Sequence, residues 1–162
     1  MNTFQLWYAL STNELTRPHF SGVYARDTIP SSIAVGDIMV CNTDDLSKAG
    51  EHWVAWYRRN EEEYDFFDSL GASPYKYWPT RVVDYKRVAC LPIRLQAPGT
   101  DICGEMCLFY AYATLKGSCL TDMPFAIPYE QTLVEIVKDL FNIPNTRLPV
   151  NKDNNQICKC QL

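Results

Sequence analysis

The stretch "GTDICGEMC", Gly99 to Cys107, governs how the rest of this 162-residue chain is read. Its two cysteines stand four residues apart, about one helical turn. They follow the turn-like "APGT" and open a run in which Ile102, Met106, Phe109 and Ala113 recur at helical spacing. That spacing predicts a helix starting here, with Thr100 or Asp101 as N-cap. The pair is open to four readings: a metal clamp, a disulfide, two core thiols, or one nucleophile with a bystander. Position separates the two sulfurs. Cys103 falls in the first turn, where unpaired N–H groups and the helix dipole favour a thiolate. Cys107 falls one turn deeper on the same apolar face, where a thiol among aliphatic side chains keeps its proton. Cys103 is therefore the reactive candidate and Cys107 the packing one.

Upstream of this helix the pattern is strand-rich. Residues 4–15 read as a short amphipathic helix. "GDIMVCN", Gly36 to Asn42, reads as a buried strand. "WVAWYRR" and "EYDFFD" are aromatic, partly alternating strands on either side of the polar turn "NEEE", which makes a hairpin from about Trp53 to Asp68. The aromatic, turn-rich segment Tyr75 to Pro79 receives no assignment. "RVACLPIRL" reads as a further strand, with Pro92 marking an edge or bulge. Downstream, Leu133, Ile136, Val137 and Leu140 define a second helix ended by "NIPN". Strands followed by helices predict an α+β fold. The length suits a single domain over residues 1–162, with residues 150–162 as a loose polar tail.

Composition narrows the function classes. Hydrophobic residues make up 47% and charged residues 21%, a globular balance. No apolar run approaches the roughly 18 residues of a membrane span, so no membrane partner is expected. "MNTFQLWYAL" lacks the basic and long apolar regions of a signal peptide. A net charge of −4 argues against a protein built mainly to neutralise phosphates. The seven cysteines, without a secretory leader, point to a reducing, intracellular compartment rather than a disulfide framework. Zinc held by Cys103, Cys107, Cys158 and Cys160 is the rival reading. The spacings C-x3-C and C-x-C are not those of common zinc knuckles, so no metal is expected.

Only two histidines are available, His19 and His52. A lone histidine is ordinarily a surface or satisfied core residue, and His19 lies in a loop-like region. His52 enters the first strand of the hairpin and Asp68 ends the second, so both return to one end of the sheet. An aspartate there can accept from imidazole Nδ1 and stabilise the imidazolium; "DSLG" is also good turn chemistry. Gln96 precedes Cys103 by seven residues. Beside a thiolate its amide can donate to the oxyanion of a tetrahedral intermediate, together with the Cys103 N–H. Taken alone, it is a polar loop residue.

The order His52, Asp68, Gln96, Cys103 resembles that of the cysteine proteases that include the adenovirus maturation protease (adenain) and the SUMO-specific proteases. The matching pieces are "HW" at His52–Trp53, "FFDSLG" around Asp68 and "QAPGTDICG" from Gln96 to Gly104. "DSLG" is similar to the SUMO-protease version. The Gln-to-Cys step, "FSGVYARDTIP", "VCNTDDLSKAGEHW" and "CGEMCLFYAYATL" are similar to the adenovirus version, and the likeness runs from about Phe20 to Pro124.

The resemblance implies an adenain-like fold, a mixed central β-sheet packed by helices with the nucleophile at a helix N-terminus. It implies a thiol endopeptidase cutting at small or glycine-rich sites, with no cofactor needed for the chemistry. Cys103 would be the nucleophile, His52 the base, Asp68 its orienting partner and Gln96 an oxyanion donor. Trp53 and Gly104 would contact substrate. Viral capsid or core precursors are the implied substrates, processed in the host cell or in the virion. An activating peptide, joined through Cys90, and DNA stimulation are further features of the adenovirus enzymes. Two alternatives belong to other classes: a deconjugase for SUMO or ubiquitin-like proteins, and an inactive binding module on the same fold.

Overall fold

Asn2 starts the first helix by accepting from the Gln5 N–H while the Gln5 side chain accepts from the Asn2 N–H, a reciprocal capping box. The computed structural model describes residues 1–80, 84, 86–90, 92, 94–118 and 130–143. The helix so begun, α1 (Thr3–Thr12), ends three residues short of the span expected from its pattern. A 3-10 turn (Arg17–His19) leads into β1 (Phe20–Tyr24), a strand that the pattern of the sequence did not reveal. β2 (Ile38–Asn42), β3 (Trp53–Arg58) and β4 (Glu63–Phe67) fall inside the expected strands. β5 (Arg87–Cys90) is shorter than the run 87–95: residues 94–96 are not strand, and residues 91 and 93 lie outside the described residues.

The five strands form one sheet in the order β1-β2-β3-β4-β5. The outer pairs β1–β2 and β4–β5 are parallel, and the inner pairs β2–β3 and β3–β4 are antiparallel. The sheet is therefore mixed. Its central strands alternate by face. Ile38, Val40, Trp53, Ala55 and Phe67 pack with the helices, while Met39, Cys41, Val54, Trp56, Tyr64 and Phe66 form a second core with Ile33 and Trp78. Period-two alternation with both faces apolar is what a sheet covered on both sides requires.

α2 (Cys103–Leu115) lies against β3 and also meets α1 and α3 (Glu130–Phe141). It is apolar nearly all round, with Cys103, Gly104, Met106, Cys107, Leu108, Tyr110, Ala111 and Ala113 buried, as a helix enclosed on several sides must be. Phe67 of β4's end stacks on Tyr110 with ring centroids 4.6 Å apart. In α3 the buried stripe is Leu133, Val137 and Phe141, and Ile136, expected on that stripe, is 43% exposed. The helix turns Ile136 outward because the i, i+4, i+8 row ending in the larger Phe141 faces α2. The expected "NIPN" stop and the tail 150–162 fall partly or wholly outside the described residues.

Candidate active site

The site is assembled at one end of the sheet by chain segments that leave or enter it. His52 immediately precedes β3, and its carbonyl accepts from Thr43 N–H at 2.8 Å, which carries the β2–β3 pairing one step beyond Asn42. The approach to His52 is set by buried Asn42, whose Oδ1 accepts from the N–H of Asp44 (2.9 Å) and of Glu51 (3.3 Å). Gly50 has φ +88°, and a Cβ there would lie 2.7 Å from Asn42 Nδ2, so the loop needs glycine at this point.

Asp68 follows β4 and is 2% exposed. Its Oδ1 accepts from His52 Nε2 at 2.7 Å and from Leu70 N–H at 2.8 Å. Its Oδ2 accepts from the Tyr77 hydroxyl at 2.7 Å and from Ala72 N–H at 3.2 Å. The expectation that imidazole Nδ1 would face the aspartate is corrected: Nε2 does so. A carboxylate only accepts, so Nε2 carries a proton, and Nδ1 is the nitrogen left for Cys103. His52 comes from the entrance of β3 and Cys103 from the start of α2, so the partners of the imidazole belong to different elements, and the strand periodicity does not fix which ring nitrogen meets Asp68. Asp68 also starts the turn, with Gly71 N–H donating to its carbonyl at 2.9 Å. Its two readings, turn starter and histidine partner, hold together.

Cys103 is the first residue of α2. The expected caps do not form: the N-cap is Ile102, and no side chain caps the helix. The first-turn N–H groups are therefore not taken by a capping side chain. Burial opposes ionisation of the Cys103 thiol, but hydrogen bonds from His52 and from the Trp53 backbone outweigh it. The His52 charge and, more weakly, the Met1 amino group help, and the thiol pKa is lowered from its ordinary value of 9.0. Burial likewise pulls the His52 pKa down, but its hydrogen bonds to Asp68 and Cys103 and the charges of both raise it to about 9. Burial pushes Asp68 up, and its bonds from His52, Leu70 and Tyr77 bring it below the usual carboxylate value. A thiolate beside an imidazolium is the state these shifts favour. Cys107, fully buried, has its pKa pushed well above 9.0 by desolvation and then by the neighbouring Cys103 charge. The two cysteines of the opening stretch are thus oppositely tuned.

Gln96 is 4% exposed. Ser69 Oγ donates to Gln96 Oε1 at 2.7 Å, which settles the amide orientation and leaves the NH2 as the donor end. One of its hydrogens goes to the Thr100 carbonyl at 2.5 Å. Backbone N–H groups of Leu95 and Gln96 both donate to the Ser69 carbonyl, at 2.8 and 2.9 Å. The dipeptide Asp68–Ser69 therefore fastens the histidine with one residue and the glutamine loop with the next. Ser69 and Tyr77 were not singled out from sequence. Ser69 sat unremarked inside "DSLG", and Tyr77 lay in the unassigned aromatic segment.

The remaining candidates are placed as follows. The Trp53 indole N–H donates to the Met1 carbonyl at 3.0 Å, and Gly104 lies directly under the Met1 side chain. Cys90 ends edge strand β5, exposed and unpaired in any disulfide. His19 ends the 3-10 turn near Gly36, at the opposite end of β2 and β3 from His52. Among the described residues no three His, Cys, Asp or Glu side chains cluster as a metal site, and Cys158 and Cys160 lie outside those residues. No helix among them is long and apolar enough to cross a membrane.

No protein-family model matches the chain, and no curated protein matches it. Among solved structures, the chain is similar to the ASFV pS273R protease, with 27% sequence identity and a TM-score of 0.43. The similarity covers 66% of this chain and 45% of that protease, so the match spans less than half the length of its neighbour.

Proposed function

We propose that this chain is a thiol endopeptidase in which Cys103 is the nucleophile. The observation that carries the reading is the His52 imidazole, held at 2.7 Å by buried Asp68, with Cys103 at the start of α2 near enough for His52 to lower its thiol pKa. In this reaction the Cys103 thiolate attacks the scissile carbonyl. The oxyanion that forms is met by N–H donors of the first turn of α2 and by the Gln96 amide. The His52 imidazolium gives its proton to the leaving amine, which departs and leaves an acyl-enzyme. Water then attacks with neutral His52 as base, and the thiolate is regenerated with release of the acid. Asp68 stays ionised throughout, keeping the imidazole oriented.

The substrates that suit the reading are extended peptides with small or glycine residues before the cut, such as segments of viral capsid or core precursors. Trp53 and Gly104 would line the channel. Exposed Cys90 on edge strand β5 is where an activating peptide would join, and assays belong with and without such a peptide and with and without DNA.

The test is active-site labelling by a vinyl sulfone bearing a glycine-rich recognition end. Cys103 is the expected adduct site by peptide mapping. Cys107→Ala should still be labelled, and His52→Ala should not. Cys103→Ala should keep its fold and lose all turnover of the matching peptide. Labelling at Cys107 in the native chain, with a folded and active Cys103→Ala, would overturn the assignment.

A further inference from the structure

Residue 1 makes contacts that a helix leader has no structural need to make. Its carbonyl takes the Trp53 indole N–H at 3.0 Å. Its side chain sits so close over Gly104 that a Cβ there would lie 2.9 Å from Met1 Cβ and 3.2 Å from Met1 Cγ. Its amino group is near enough to favour ionisation of the Cys103 thiol. The three contacts converge on the nucleophile and its two flanking surfaces, from the far end of the sequence. They are also held firmly. The capping box at Asn2 and Gln5 sets the start of α1, and Leu6, Ala9 and Leu10 anchor that helix in the main core.

These are the features an extended peptide would use. The indole N–H only donates, so it has one carbonyl to offer itself to, and Met1 holds that position. A glycine beside the nucleophile lets another backbone approach closely, and Met1 fills the space. We propose that Met1, the residue ahead of the Asn2 cap of α1, is an intramolecular occupant of the substrate groove, and that peptide substrates enter only as this residue is displaced. The inference rests on the protease reading of Cys103. It makes the described arrangement a resting form whose activity is set by how often Met1 lifts.

The experiment compares three chains: the native one, Met1→Gly released from a removable N-terminal fusion, and one beginning at Asn2. Both variants keep the Asn2–Gln5 cap, and unchanged melting temperatures establish that they fold. Each is labelled at Cys103 with iodoacetamide, which needs no groove, and with the glycine-rich peptide vinyl sulfone, which does. Minor conformers commonly hold about 0.1–10% of the population, so removing the occupant should raise the peptide-probe rate about tenfold or more relative to the iodoacetamide rate. An unchanged ratio, with both probes reaching Cys103, overturns the inference and leaves the protease reading standing. Iodoacetamide labelling without peptide-probe labelling in any chain removes the protease reading and the inference with it. Should a variant melt lower, methyl-labelled native protein decides. The Met1 methyl resonance should move on peptide-probe attachment and stay on carbamidomethylation, and a resonance that ignores the peptide probe overturns the inference.

Discussion

His52 is raised to about 9 against the pull of its own burial, and Asp68 is the largest influence in the upward direction. Cys103 is lowered from 9.0. The thiolate–imidazolium pair therefore exists between an acid limit, where Cys103 takes a proton, and an alkaline limit near 9, where His52 loses one. The macroscopic limits belong to the pair rather than to either group. In Asp68→Asn the carboxylate charge is gone while burial remains, so the alkaline limb of kcat/KM should move below about 9 towards or past 6.5. Peak kcat should fall steeply, since the imidazolium loses the charge that stabilises it. The same raised pKa fixes the sign for stability: the His52 contribution is full below pH 6.5 and is lost as pH climbs through about 9. A variant with an unshifted alkaline limb would mean that another group holds the His52 proton.

At the scale of elements, α2 is placed by what covers it rather than by a cap. Its first residue has no side-chain cap, yet the helix is buried between β3, α1 and α3. α3 is amphipathic, and only the row Leu133, Val137 and Phe141 is fully buried. Leu133→Ala, at a site 1% exposed, should cost about 2–5 kcal/mol in denaturant unfolding. Ile136→Ala, at a site 43% exposed, should stay within about 0.5 kcal/mol of the parent. The reverse order would mean that α3 docks through the neighbouring row, turned by about one residue, or 100°. The hairpin β3–β4 does comparable work for the site. Its antiparallel pairing brings the residue before one strand and the residue after the other to a common end, where His52 and Asp68 meet.

For the whole molecule, the distinction that matters is between reading an extended peptide and gripping a folded partner. A deconjugase draws its affinity from a broad surface on a ubiquitin-like domain. A maturation protease reads an extended segment with pockets for alternate side chains. The expected outcome is cleavage of short peptides with glycine or small residues before the cut, with SUMO or ubiquitin fusions cut no better. The comparison uses kcat/KM for both substrates on the chain lacking Met1 as well as on the native one. A fusion preferred by about a hundredfold would place about 2.7 kcal/mol of transition-state binding on the folded partner and move the assignment to the deconjugase.

The α+β class, the three inner strand segments and the onset of α2 at Cys103 were legible in the chain itself. Periodicity and turn chemistry are local properties, and the order of polar residues along a chain survives any folding. The direction of the opposite tuning of Cys103 and Cys107 was expected from helix position, whereas its causes are tertiary: burial acts on both thiols, and only Cys103 has His52 and the Trp53 backbone to outweigh it. β1 was not legible, since "FSGVY" is short and only its parallel pairing with β2 makes it a strand. Nor was the imidazole nitrogen that meets Asp68, because the partners of the ring belong to different elements and strand periodicity does not fix its orientation. Ser69, Tyr77 and Met1 lie 27, 9 and 52 residues from the partners they bind. Such contacts carry no local signature; they exist only once the sheet, the loop after β4 and the start of α1 have been brought to the same place.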